Sequence, residues 1–228
     1  MQLGIPNDEV YYKMLKWFNR NYPLEMHRFI ASISPNQIEC KKWLVDGLDD
    51  IQIPRNDKGK FNIEIVGGWF GFPLIDLLWD KYGDQIHEIH FFDVDPFAAK
   101  VFSVYLSMWD VNIKLNSSSL VHIKISTGDS GDYCKYTKKR RAHLVINTSC
   151  EHMPNMKEQR EYYYESNNMV LALQSNNKTN EPDHINCVES CQELAEQAGC
   201  IIVDKDDKIM KSAGSEHWNR FMIYGKWK

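Results

Sequence analysis

No apolar run in the sequence approaches the roughly 18 residues that a membrane-crossing helix requires. The N-terminus, MQLGIPNDEVYYK, lacks a basic stretch followed by an apolar core, so it does not read as a secretory signal. C-x-x-C pairs are absent from the six cysteines. Cys187 and Cys191 lie four apart on an expected helix and so share a face. A zinc site would need two further ligands, and His184 alone does not complete one. The expectation is therefore reduced, mostly buried thiols, no metal, no membrane, and a cytoplasmic location. An excess of positive charge is also missing. The formal net charge of −4 argues against gripping nucleic acid by charge alone. Nor is there an internal repeat or low-complexity linker to mark a second independent domain.

What remains is a chain of 228 residues, 43% hydrophobic, enough to bury the core of one domain with a small extension. The stretch Phe61–Pro96 organises it. An apolar run rich in β-branched residues (Ile63, Ile65, Val66) reads as a buried parallel strand. It breaks into Gly67-Gly68-Trp69-Phe70-Gly71, and a helical pattern follows from Pro73, closed by Gly83-Asp84. A second strand, Ile89–Phe92, ends on Asp93-Val94-Asp95-Pro96. Glycines allow a sharp turn and close approach of a ligand to the backbone. The following helix turns its N–H groups toward that ligand. An acid roughly 20 residues on can take both hydroxyls of a ribose, and Asp93 is so placed.

These residues resemble the first motif of the class I S-adenosylmethionine-dependent methyltransferases. Gly67, Trp69 and Gly71 fall on its three glycine positions, with Gly68 between, and Asp93 on the ribose acid. Trp69 departs from the pattern: a large indole there must point away from the cofactor or cover it.

Residues 1–60 read as a helical extension. Asp8 can cap a helix to about Tyr22, Leu24–Ile33 forms a second segment, and a third runs from Pro35 behind Ser34. The extension builds an acceptor side or serves as a cap without site residues. Residues 61–228 form the cofactor-binding domain. A helix is expected at Phe97–Met108, a polar connection at Asn112–Ser119, and a third strand at Leu120–Ile125. The resemblance implies that Asp129, just beyond it, accepts from the adenine amino group. Lys138-Lys139-Arg140-Arg141 could touch phosphate or be a solvated helix end. The fourth strand, Ala142–Ile146, leads into Asn147-Thr148-Ser149-Cys150-Glu151-His152, at the carboxyl edge where open α/β sheets bind ligands. A Glu-His pair after this strand continues the resemblance. His152 could act as general base, cap a helix or line the pocket.

A helix at Gln159–Glu165, a fifth strand at Met169–Leu173 and a helix at Asn186–Ala198 follow. Cys200–Val203 and Arg220–Tyr224 then form a closing hairpin, with a charged turn at Asp204–Lys208. The order predicts a Rossmann-like α/β fold: a seven-stranded, mostly parallel sheet between helices, with a C-terminal antiparallel hairpin. The resemblance implies S-adenosylmethionine at Gly67, Gly68, Trp69, Gly71, Asp93, Asp129 and Asn147, with Glu151 and His152 at the chemistry. Methyl transfer to a small-molecule acceptor is the first reading, with RNA or protein acceptors behind it. No Asn-Pro-Pro-Tyr motif follows the fourth strand, which counts against DNA amino-group methylation. Aminopropyl or aminocarboxypropyl transfer from the same cofactor, a noncatalytic cofactor-binding module and a nicotinamide dehydrogenase are the alternatives.

Overall fold

A computed structural model describes residues 7–116, 122–127, 140–164, 168–211 and 217–228. Three helices come first, α1 (Asp8–Asn21), α2 (Met26–Ser32) and α3 (Pro35–Gly47). Then follow β1 (Phe61–Val66), α4 (Leu74–Tyr82), β2 (Ile86–Asp93), α5 (Pro96–Asn116), β3 (His122–Thr127) and β4 (Leu144–Asn147). The chain closes with β5 (Val170–Asn176), α6 (Cys191–Ala198), β6 (Cys200–Lys211) and β7 (His217–Trp227). The seven strands form one sheet in the order β3-β2-β1-β4-β5-β7-β6. All pairings from β3 to β5 are parallel; β7 runs antiparallel to both β5 and β6. This is the expected sheet. The antiparallel β7 between β5 and β6 also separates it from the all-parallel dinucleotide-binding arrangement of the dehydrogenases.

Alternation along the strands divides the core between the two faces of the sheet. Phe61, Ile63 and Ile65 of β1, Ile89 and Phe91 of β2, and Leu144 and Ile146 of β4 pack on one side with α1, α3, α4 and α5. Val66, Val145, Leu171, Leu173, Phe221 and Ile223 face the other, beneath α6 and the segment after β4. The N-terminal helices share the first cluster through Val10, Met14, Phe18 and Leu44, all with 0% exposure, so they are continuous with the sheet's own core.

Several boundaries differ from the sequence reading. Asn7, not Asp8, occupies the N-cap position of α1, and its side chain donates to Asp76 instead of capping. The helix α5 runs on through Asn112 to Asn116, where a polar connection was expected. Asp204–Lys208 belongs to β6, not to a turn; this is an edge strand, where charged side chains stay solvated while the backbone pairs with β7. The chain at Met156–Tyr162 makes a 3-10 turn, not the expected helix. Here Tyr163 is drawn into a bridge with Arg140 and bonds the buried Glu64 carboxylate through its hydroxyl. Helix α6 begins at Cys191, not Asn186, because Ser190 supplies the cap by accepting from Glu193 N–H.

Candidate functional site

The glycine turn after β1 is closed by hydrogen bonds and not by packing alone. Gly67 and Gly68 N–H both reach the Phe92 carbonyl at the end of β2, at 3.0 and 3.3 Å. Gly67 adopts φ +63° and Trp69 φ +52°, the latter costly for a bulky residue. Asp93 holds that conformation: its Oδ2 accepts the Trp69 N–H at 2.7 Å, and its Oδ1 accepts the Asp95 N–H at 2.9 Å. Burial pushes the Asp93 carboxyl up, and these two N–H bonds oppose the shift.

Beyond the carboxyl ends of β1, β2 and β4 lies a cleft of about 720 Å³, in the range of small-molecule sites. Gly67, Gly68, Trp69 and Asp93 line one wall; Ser149, Glu151, His152 and Met153 line another. A Cβ on Gly67 would sit 2.4 Å from Met153 Cε, and one on Gly68 would sit 2.3 Å from the Phe91 ring. Gly67 therefore keeps the backbone open to the cleft, whereas the missing Cβ of Gly68 leaves room for the buried Phe91 and Ile65 side chains. Two sequence candidates lie elsewhere. Gly71 (φ +78°) does not line the cleft; a Cβ there would strike the Phe102 ring at 2.4 Å, so this glycine serves packing. Asn147 is fully buried, donating to the Met153 and Met156 sulfurs and accepting from Ser149 N–H at 2.8 Å. It shapes the turn after β4. Asp129, Lys138 and Lys139 lie outside the described residues. Arg140 is buried against Glu64 at 2.9 Å, which takes it out of the basic run. Burial also pushes the Cys150 thiol far up, leaving it inert as a nucleophile.

Three cations in the cleft were missed from sequence. Arg28 of α2 pairs with Asp95 and lies over the rings of Phe70 and Phe97. Lys41 of α3 is 9% exposed and bonds Gln37; burial, and next the Arg220 charge, push it down to about 8. Arg220 of β7 donates to the Thr148 carbonyl and to Glu151 Oε1 at 3.4 Å. Their only sequence signal was position. Arg28 and Lys41 lie on the helical extension, and Arg220 pairs in register with Asn176 at the carboxyl end of β5. His152 is 37% exposed, with Nδ1 3.1 Å from Asp183 Oδ2 and Nε2 4.0 Å from Glu151 Oε1.

No family model and no curated protein sequence matches the chain. Solved structures are similar over four-fifths or more of its length. An O-methyltransferase from Bacillus cereus, in complex with SAH, is 15% identical with a TM-score of 0.54, covering 97% of this chain and 92% of that one. A SAM-dependent methyltransferase from Aquifex aeolicus is 16% identical with a TM-score of 0.50, covering 84% and 93%. The [4+2]-cyclase SpnF is 11% identical with a TM-score of 0.53, covering 82% and 80%. The fold is that of the class I S-adenosylmethionine-dependent methyltransferases. A cyclase among the similar structures makes plain that the fold does not dictate the reaction. Among the described residues no helix is long and apolar enough to cross a membrane.

Proposed function

We propose that the protein is an S-adenosylmethionine-dependent methyltransferase acting on a small-molecule acceptor. The observation that carries this is the meeting of two walls in one cleft: the Gly67–Gly68 backbone with Asp93 on one side, Glu151 and His152 on the other. Residues and ligand fit. The open glycine backbone admits a close-lying group, and each Asp93 oxygen carries one N–H donor, so each keeps a lone pair for a ribose hydroxyl. When bound, S-adenosylmethionine supplies a methyl group made electrophilic by its sulfonium. The chain's own work is orientation and exclusion of water. Arg28, Gln37 and Lys41 wall the cleft from the N-terminal side and leave room for a compact acceptor. Lys41 and Arg220 favour an acceptor that carries negative charge. Activation of that acceptor is assigned to Glu151 and His152.

The test is incubation of the full chain with S-adenosylmethionine and a panel of hydroxylated and amino-bearing acids, followed by analysis of the cofactor product. S-adenosylhomocysteine is the expected product. Methylthioadenosine would replace methyl transfer by aminopropyl or aminocarboxypropyl transfer. An unchanged cofactor with every acceptor, in a protein that binds it, would point to a noncatalytic module.

A further inference from the structure

We infer that Glu151, His152 and His184 form a binding site for one divalent transition-metal cation beside the cleft wall that Glu151 and His152 line. One ligand atom from each of these side chains lies within 4.8 Å of the other two. Two ligands on one ion sit at most about 4.4 Å apart, twice a bond of about 2.2 Å, so a small side-chain rotation closes the triangle.

Proximity alone would describe two half-exposed histidines beside a buried ion pair. The orientation of both rings says more. His184 Nδ1 is 2.7 Å from the Lys178 carbonyl oxygen, which only accepts, so Nδ1 carries the proton and Nε2 a lone pair. The Cys187 thiol, 3.7 Å from the same nitrogen, is the weaker contact and does not reverse this. His152 repeats the pattern. Its Nδ1 faces the Asp183 carboxylate at 3.1 Å, leaving Nε2 turned to Glu151 Oε1 at 4.0 Å. An imidazole held through one nitrogen by an oxygen acceptor, with the other nitrogen free, is prepared as a metal ligand. The rings meet edge to face, centroids 4.5 Å apart.

The carboxylate supplies a second, independent observation. Glu151 Oε1, the oxygen that faces His152, accepts from Asn176 at 2.6 Å and from Arg220 at 3.4 Å, but Oε2 is buried with no hydrogen-bond partner among the described residues. An orphaned carboxylate oxygen is costly in such a place, and a cation would satisfy it. The backbone also fixes the His184 loop to this point: Ile185 and Asn186 N–H both donate to the Glu151 carbonyl, at 2.9 and 3.0 Å. The sequence reading expected no metal because it looked for ligands near Cys187 and Cys191; the fold brings His184 to the Glu-His pair instead. Two imidazoles and one carboxylate suit Zn²⁺, Fe²⁺ or Mn²⁺ and leave positions open for an acceptor oxygen or water. A hydroxyl bound there has its pKa lowered and releases its proton to solvent. That role, unlike the site itself, rests on the methyltransferase reading.

The experiment is calorimetric titration of metal-stripped full-length protein with Zn²⁺, with Co²⁺ as a visible-absorption probe. One equivalent should bind, and Zn²⁺ should raise the thermal midpoint. His152→Ala and His184→Ala should each weaken binding at least about tenfold, as even outer-shell losses do. His217→Ala, on the exposed end of the hairpin, should leave it unchanged. Circular dichroism confirms that the variants fold. No binding by the wild type, or Zn²⁺ affinity unaltered in folded His184→Ala and His152→Ala, would overturn the site. Titration of the same samples with S-adenosylmethionine keeps the two readings apart: metal binding without cofactor binding would remove the methyl-transfer role and leave the metal site standing.

Discussion

Arg220 on β7 and Glu151 in the turn after β4 pair at 3.4 Å with only 5% and 4% of their side chains exposed, tying the closing hairpin to the floor of the cleft. Removing one partner of such a pair leaves a buried charge uncompensated. Arg220→Met should therefore cost about 3–5 kcal/mol. The double variant Arg220→Met/Glu151→Gln should recover most of that loss. Urea unfolding of the three proteins checks this, and a neutral single variant would mean the pair does not hold the turn.

Gly71 separates packing from binding. It carries φ +78°, and an added Cβ would meet the rigid Phe102 ring. Gly71→Ala should destabilise the protein by about 1–3 kcal/mol through overpacking and backbone strain. Because Gly71 does not line the cleft, cofactor affinity in the folded variant should stay within about twofold, well under the tenfold that 1.4 kcal/mol represents. A calorimetric titration below the unfolding transition decides it.

Lys41 sets a pH dependence whose sign follows from its low value. The folded state gives up the Lys41 proton near pH 8, whereas the unfolded chain keeps it to about 10.5. Between those values the unfolded chain binds more protons, so this group's contribution to stability rises with pH. Below pH 8 the buried ammonium costs on the order of 3 kcal/mol. Lys41→Met should accordingly stabilise the protein at pH 7 and flatten the rise between pH 8 and 10.5. It should also weaken anionic acceptors. Denaturant midpoints across that pH range test both variant and wild type.

The sheet was legible because its signals are local. Ile63, Ile65 and Val66 cannot avoid burial, and the glycines between β1 and α4 have one sterically easy role. The antiparallel ending followed from two strands with no helix between them. Misread elements were those set by partners that hydrophobic periodicity does not record. Tyr163 leaves a helical pattern to reach Glu64 and Arg140, and β6 extends because β7 offers it a backbone. The site divides in the same way. Asp93, Glu151 and His152 stand at strand ends, where position is informative. Lys41, Arg220 and His184 converge on them only through tertiary folding, and no spacing in the sequence records that.

The central claim is that Asp93 and the Gly67–Gly68 turn hold the nucleoside of S-adenosylmethionine, and titration calorimetry with Asp93→Ala tests it most directly. The wild-type protein should bind S-adenosylmethionine at a single site. Loss of the charge-assisted hydroxyl contacts should cost about 1.5–3 kcal/mol, at least tenfold in affinity. A circular dichroism spectrum confirms that the turn anchored by Trp69 N–H has not unfolded the variant. No binding by the wild type, or equal binding by a folded Asp93→Ala, would contradict the account.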